Sequence, residues 1–333
     1  MAVNGSKIDA EKVLRDFLKK HKKTSENAVA ITKDEFVLFC REIYGANHES
    51  YPAIFDVFCQ NKDEILRENE LQIFIDKWLS IVLNPVTAII IVDVQNDFIS
   101  GTLALKNCPA NQDGADTVLG VNKLLATVKF DKVFYSLDWH PKDHISFYEN
   151  RHLRPFHESS LGLDKAQMYD KVIFEGTPPT EQILWPTHCI QGTWGSELHK
   201  DLLRVEGAVY IKKGVNSEID SYSAFWDNKK HSATDLSKYL KKFNITDLYV
   251  CGLAYDVCVG STALDSMALG FRTILIEDCC KGVTEQGMAE MKNKILSGNG
   301  IVVSSKEVNK LLDGSVKRPE LGYFLAKHLT SQK

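Results

Sequence analysis

Three residues able to open a carbonyl to attack lie far apart in the chain: Asp93 after "TAIIIV", Lys213 in "IKKG" and Cys258 in "VCGLAYDVCV". A free cysteine is only a few per cent thiolate near neutral pH. A carboxylate beside it can take its proton, and an ammonium and the positive end of a helix dipole stabilise the resulting anion. Cys258 falls on the expected first turn of a helix, where backbone N–H groups lack partners. Asp93 can pass the proton on to a leaving amine while Lys213 holds that carboxylate in place and in its charged state. Such a set serves nucleophilic attack on a carbonyl through a thioester.

A second group points to a cation. Asp138 and His140 in "SLDWH" stand two residues apart at an extended end, so both face the same side. His188, in "ILWPTHC", comes from a loop stiffened by Pro186. Two imidazoles and a carboxylate with positions left open suit one divalent metal ion, Zn²⁺ or Fe²⁺. His144 is expected to support these ligands or face the substrate rather than bind the ion itself.

The elements that must carry these groups are legible in the apolar pattern. Six β-rich runs alternate with helical patterns after residue 85: 87–93, 132–138, 208–214, 247–253, 272–278 and 300–305. Continuous apolar runs suit strands covered on both faces, hence a parallel sheet with crossover helices. Residues 86–313 then form a doubly wound α/β domain, and 314–333 a helical tail. Ligands of such a sheet bind beyond the carboxyl ends of its strands, and four of these ends carry the groups above. Any one of them alone is what a strand shows where it reaches solvent. A Cys–Asp–Lys set and a ligand set on the same edge is a stronger signal.

Residues 1–83 read differently. Apolar residues recur at helical spacing: Val13 and Phe17; Phe36, Phe39 and Ile43; Ile54 and Phe58; Leu71, Phe74, Trp78 and Ile81. The stretches 24–36 and 59–71 each put an aliphatic residue at loop position eight (Ile31, Leu66) and a glutamate at position twelve (Glu35, Glu70). This all-α layout resembles EF-hand domains; four helices with coincidental acids is the alternative. Thr24 and Cys59 stand where a calcium loop has Asp, and Val29 and Glu64 where it has Gly, so no calcium is expected.

Bulk properties exclude several classes. A net charge of −4 leaves no basic footprint for nucleic acid. The apolar run "PVTAIIIVDV" is about half of what a membrane span needs. Eight cysteines without a C-x-x-C pair read as free thiols of a reducing compartment, and no signal-peptide core opens the chain. A cytoplasmic or nuclear location follows as an expectation. Apolar residues near the amino terminus leave room for a homo-oligomer.

Taken in order, "IIIVDVQNDF", "LDWHPKDHISF", "ILWPTHCIQGTWGSEL", "KKG…YSAF" and "CGLAYDVCV" resemble the nicotinamidases of the isochorismatase-like cysteine hydrolase superfamily over roughly residues 86–305. The amino-terminal region lies outside that match and resembles the EF-hand-bearing nicotinamidases of some animals. The resemblance implies a six-stranded parallel sheet, a catalytic triad of Asp93, Lys213 and Cys258, and a metal on Asp138, His140 and His188. It also implies a cis peptide between Leu253 and Ala254, and an oxyanion hole from the N–H groups of Ala254 and Cys258. It places a nicotinamide ring between Phe98 and Trp185, with Tyr222 closing the pocket and the pyridine nitrogen towards the metal. The histidine that some bacterial members carry before the nucleophile is Val257 here. The implied activity is hydrolysis of nicotinamide to nicotinate and ammonia, a step of NAD salvage. Ureidoacrylate and N-carbamoyl amide hydrolases share the triad but generally lack the metal cluster, and true isochorismatases lack the cysteine. A sensor on the same fold without catalysis is the rival of another class. The insertion 151–182 is expected to arch over the site.

Overall fold

The computed structural model describes residues 7–21 and 30–331. Two short strands, β1 (Ala30–Thr32) and β2 (Ile65–Arg67), pair antiparallel near the amino terminus. Six further strands form one sheet: β3 (Thr87–Val92), β4 (Lys132–Asp138), β7 (Val209–Lys213), β8 (Asp247–Leu253), β9 (Arg272–Lys281) and β10 (Ile301–Val303). Every pairing in it is parallel, in the order β10-β9-β8-β3-β4-β7. The two remaining strands, β5 (Lys171–Phe174) and β6 (Thr180–Ile183), make an antiparallel hairpin within the insertion.

The apolar runs become the sheet because both of its faces are covered. All six residues of β3 and all seven of β8 are buried, so neither strand keeps a polar, solvated side. β9 runs three residues beyond the expected 278. After an irregularity at Val250/Gly252, Cys280 and Lys281 pair with Gly252 and Leu253. Gly252 has φ 125°, and a Cβ there would strike the backbone of Val92 on the neighbouring strand, so only glycine lets β3 and β8 approach at this point.

The order of the sheet positions the chemistry. β8, β3, β4 and β7 are successive neighbours, so the ends carrying Cys258, Asp93, Asp138 and Lys213 form one edge.

The amino-terminal helices Ala10–His21, Lys33–Tyr44, Tyr51–Phe58 and Glu68–Phe74 enclose a separate core built on Phe36, Phe39, Phe55, Phe74 and Trp78. Helix Lys33–Tyr44 starts at a Thr32/Glu35 capping box and stops at Gly45, whose φ is 71°. Ile31 of β1 lies opposite Leu66 of β2. Thr24 and Val29 of the first loop lie outside the described residues.

The helix expected after residue 313 spans Pro319–Ser331 and joins the two cores. Its Leu321 and Phe324 belong to the core of the large sheet, its Leu325 and Ala326 to the amino-terminal one. The buried Trp78 Nε1–H donates to Gly322 O at 2.7 Å. Arg272, ion-paired with Asp247 at 2.5 Å, also donates to Ile81 O at 3.2 Å. No described helix is long and apolar enough to cross a membrane.

Candidate active site

Lys213 is the last residue of β7, and its ammonium is fully buried. Nζ lies 2.9 Å from Asp93 Oδ2, forms an ion pair with Asp138 Oδ1, and donates to Ser221 O at 2.9 Å and to Cys258 Sγ at 3.4 Å. One cation thus joins both carboxylates and the thiol. Asp93 leaves β3 with φ 49°, and its Oδ1 accepts from Ser136 Oγ at 2.6 Å. Oδ2 meets the ammonium but has no hydrogen-bond partner among the described residues, which leaves it open to a proton. Polar atoms of Asp93, Asp138 and Cys258 all lie within 4.8 Å of one another.

Burial sets the protonation states here. It pushes the Asp93 carboxyl up, against the opposing pull of Lys213. Burial also pushes the Cys258 thiol well above its ordinary range; Lys213 counters this, while Asp93 and Asp138 add to it. For Lys213, burial acts downward, but Asp138 and Asp93 more than offset it and hold the amine well above its usual value. The resting site is therefore a thiol beside a buried ion pair. Burial thus outweighs the helix end and the ammonium that favour the thiolate: Cys258 is the fourth residue of a π-helical turn, Tyr255–Val259, and is buried.

The metal candidates also converge. Nε2 of His140 and of His188 lie 3.5 Å and 3.7 Å from the same oxygen, Asp138 Oδ2. Nδ1 of each ring faces a backbone carbonyl, Gly214 O at 2.8 Å and Pro186 O at 2.7 Å, so Nδ1 carries the proton and donates. Each Nε2 then faces a carboxylate oxygen, an arrangement that either a proton on the ring or a cation between the two groups satisfies. Donors about 2.0–2.2 Å from a shared tetrahedral ion stand roughly 3.3–3.6 Å apart, and the observed 3.5 Å and 3.7 Å lie at the wide end of that spacing. The residues present fit a divalent ion on both counts. Gly214, with φ 65°, lets the chain pass the His140 ring, and a Cβ there would collide with the imidazole.

His144 stacks on His140 with centroids 3.9 Å apart and binds Ser146 Oγ through Nδ1 at 2.7 Å. Its buried Nε2 has no partner among the described residues. Burial, with His140 and His188 adding, keeps it well below the usual imidazole range and hence neutral.

Phe98, Trp185 and Tyr222 line one cavity together with Asp138, His188 and Cys258. Ala254 lines it too, and the Leu253–Ala254 peptide is cis. The triad, the metal candidates and the ring contacts singled out in the sequence are thus brought together. Several others there escaped notice. Leu103, Leu105 and Val283 complete the apolar walls, and Asp220 is buried beside His140 and His144. Gln95 clamps Asp138, accepting from its N–H and donating to its carbonyl, both at 2.8 Å. Asp97 Oδ2 accepts from Cys189 N at 2.7 Å and so ties the turn bearing Phe98 to the loop bearing His188. The dense polar run "VQND" directly after an apolar strand was the available signal.

Known proteins share this sequence and fold. The nicotinamidase of Acinetobacter baylyi is 35% identical over 223 residues, which cover 66% of this chain and 94% of that protein. That of Escherichia coli is 36% identical over 204 residues, covering 61% of this chain and 86% of that protein. Among solved structures, an Acinetobacter baumanii nicotinamidase/pyrazinamidase superposes with TM-score 0.57 and 34% identity, over 68% of this chain and 99% of its own. A yeast nicotinamidase bound to the inhibitor nicotinaldehyde superposes with TM-score 0.56 and 27% identity, over 66% and 99%. Residues 87–307 match the isochorismatase domain, and the chain belongs to that family.

Proposed function

We propose that the protein is a nicotinamidase that hydrolyses nicotinamide to nicotinate and ammonia, a reaction that serves NAD salvage. The observation that carries this reading is the buried Lys213 ammonium joining Asp93 and Cys258 at the floor of an aromatic-walled cavity. Its relatives carry the same activity in their names.

In the mechanism, Cys258 Sγ attacks the carboxamide carbon as Asp93 takes the thiol proton. The Lys213 ammonium offsets the charge on sulfur as it develops. The tetrahedral oxyanion faces the N–H groups of Ala254 and Cys258, and such a donor is worth on the order of 10²–10³ in rate. Asp93 gives its proton to the amide nitrogen, the C–N bond breaks and ammonia leaves. Water then attacks the thioester as Asp93 takes its proton; the C–S bond breaks, and the proton returns to sulfur. A raised carboxyl pKa suits a group that must accept and donate in turn. Phe98 and Trp185 hold the ring between them, and Tyr222 borders it. A divalent ion on Asp138, His140 and His188, Zn²⁺ or Fe²⁺, would supply a Lewis-acid contact that orients the pyridine nitrogen.

Ammonia release from nicotinamide by the purified protein tests the proposal. Release should be rapid, should fall after treatment with a strong chelator, and should return on adding back zinc or ferrous ion. No release from metal-loaded protein would direct the search to other small amides.

For the amino-terminal unit we infer an EF-hand-like pair that does not bind calcium. The paired β1–β2 segments with Ile31 opposite Leu66 support the first half. The loop glutamates support the second. Glu70 Oε1 already accepts from Gln60 N at 2.7 Å and Asn61 N at 3.3 Å, and Glu35 Oε2 from Thr32 N at 2.8 Å. Millimolar calcium is expected to leave the melting temperature where a calcium chelator leaves it; a calcium-dependent rise would sink this inference.

A further inference from the structure

Asp220 is a buried carboxylate with no part in the steps above. It lines the cavity together with Cys258, Trp185 and Tyr222 and is only 4% exposed. The chain after β7 delivers it. Ser221, the next residue, turns its carbonyl to the Lys213 ammonium at 2.9 Å and donates its N–H to Asp220 Oδ1 at 2.7 Å. Gln182 Nε2, from β6 of the insertion, donates to Asp220 Oδ2 at 3.0 Å. The orientation of that amide is fixed by its other bond, from Nε2 to Ile183 O at 2.9 Å, because a carbonyl can only accept. Both oxygens of Asp220 thus face N–H donors, the partners that an ionised carboxylate takes.

What Asp220 lacks is a countercharge. Asp93 and Asp138 share the Lys213 ammonium, whereas no lysine, arginine or histidine among the described residues forms an ion pair with Asp220. Its carboxylate lies within 4.8 Å of ring nitrogens of His140 and His144, but His144 is held neutral and His140 is turned to Asp138. A buried charge without an opposite one is costly, and this one stands on the wall of the cavity, where it opposes a negative charge on Cys258. The reaction changes the charge of what the cavity holds. Nicotinamide is neutral, and nicotinate is an anion formed at Cys258 in the same cavity. A divalent ion on Asp138, His140 and His188 would bring the carboxylates of Asp93, Asp138 and Asp220 and the Lys213 ammonium to neutrality. Such a site matches a neutral ligand, and the acid product leaves it with an uncompensated negative charge.

We propose that Asp220 is a specificity-determining residue that sets the cavity against the acid: its fixed negative charge weakens the hold on nicotinate relative to nicotinamide and so speeds release of the product. The choice of this ligand pair rests on the nicotinamidase reading, whereas the unpaired carboxylate on the cavity wall does not.

The test compares two ligands in one protein, so that general damage to the fold cancels. Full-length Cys258→Ala protein, reconstituted with zinc, is the background that cannot turn nicotinamide over, and Asp220→Asn, Asp220→Ser and Asp220→Glu are each placed on it. Calorimetry at neutral pH gives Kd for nicotinamide and for nicotinate. The ratio of the nicotinate Kd to the nicotinamide Kd should fall by at least about tenfold in Asp220→Asn, the scale of removing one like charge from a poorly screened site. The new amide can still accept from Ser221 N–H, and Gln182 can turn to accept from it. Asp220→Ser removes the same charge with a smaller group and should give the same fall, which covers the case in which the amide is not accepted. Asp220→Glu keeps the charge and should keep most of the original ratio. In protein that retains Cys258, Asp220→Asn should make nicotinate a stronger product inhibitor by a similar factor. A ratio unchanged on removal of the charge would overturn the proposal, whether both ligands bind as before or both bind more weakly. Equal falls in Asp220→Asn and Asp220→Glu would overturn it as well, since shape rather than charge would then discriminate. Nicotinamide that failed to bind the Cys258→Ala background at all would overturn the nicotinamidase reading, and this proposal with it.

Discussion

Cys258→Ala is expected to bring ammonia release from nicotinamide down by at least about 10⁴-fold in kcat, the scale seen when a covalent nucleophile is deleted. The loss should fall on kcat. The ring walls Phe98, Trp185 and Tyr222 do not depend on the thiol, so nicotinamide should still bind the variant, as calorimetry can show. The fold should survive as well. Cys258 donates nothing that holds another element in place, and the Lys213 ammonium beside it keeps Asp93, Asp138 and Ser221 O. Losing one buried sulfur of methylene-like size costs roughly 1 kcal/mol. Cys258→Ser tests the same point with less change of shape. A hydroxyl is a harder group to ionise, and Asp93 alone cannot make up the difference, so it should be nearly as inactive. A folded Cys258→Ala protein that still turned nicotinamide over would remove the thioester from the mechanism.

How much of this was legible beforehand depended on the physical character of each signal. The buried parallel strands were, because a strand covered on both faces needs an unbroken apolar run, as "TAIIIV" and "DLYVCGL" show. The groups at their ends were, because Asp93, Asp138 and Lys213 interrupt such runs just where a parallel sheet exposes its ligand edge. That β8, β3, β4 and β7 lie side by side was not, since strand order is a tertiary choice that no local pattern encodes. The same holds for helix Pro319–Ser331. Its sequence predicts a helix, but nothing in it says that Leu325 belongs with Trp78, more than 240 residues away by the contact of Trp78 with Gly322. Polar partners that act through backbone, such as Gln95 on Asp138 and Asp97 on Cys189, look like ordinary loop residues until the chain is folded.

Lys213→Met should be the most damaging single change to the site, because it acts on both stability and chemistry. The ammonium is the only buried cation among the described residues that touches Asp93, and it is shared with Asp138. Without it two carboxylates are left buried close together. Removing one partner of a buried charge cluster costs roughly 3–5 kcal/mol, a large share of a domain's stability. The penalty should depend on pH in a definite direction. Burial already holds the Asp93 carboxyl above its unfolded value with the lysine present, and loss of the ammonium can only raise it further. A carboxyl whose folded pKa lies above its unfolded one binds more protons when folded, so stability falls as pH rises through that pKa. The gap in melting temperature between wild type and Lys213→Met should therefore be narrower at pH 5 than at pH 8. Turnover should not recover with stability at low pH. A protonated Asp93 cannot take the thiol proton, and the developing charge on Cys258 has lost its ammonium, so kcat should stay down by about 10²–10⁴-fold throughout. Lys213→Arg restores the charge but not the shape, since a guanidinium cannot sit at once against two carboxylates, a carbonyl and a sulfur within 3.4 Å. A gap in melting temperature that stayed constant or narrowed from pH 5 to pH 8 would mean that Asp93 is not the group Lys213 holds charged.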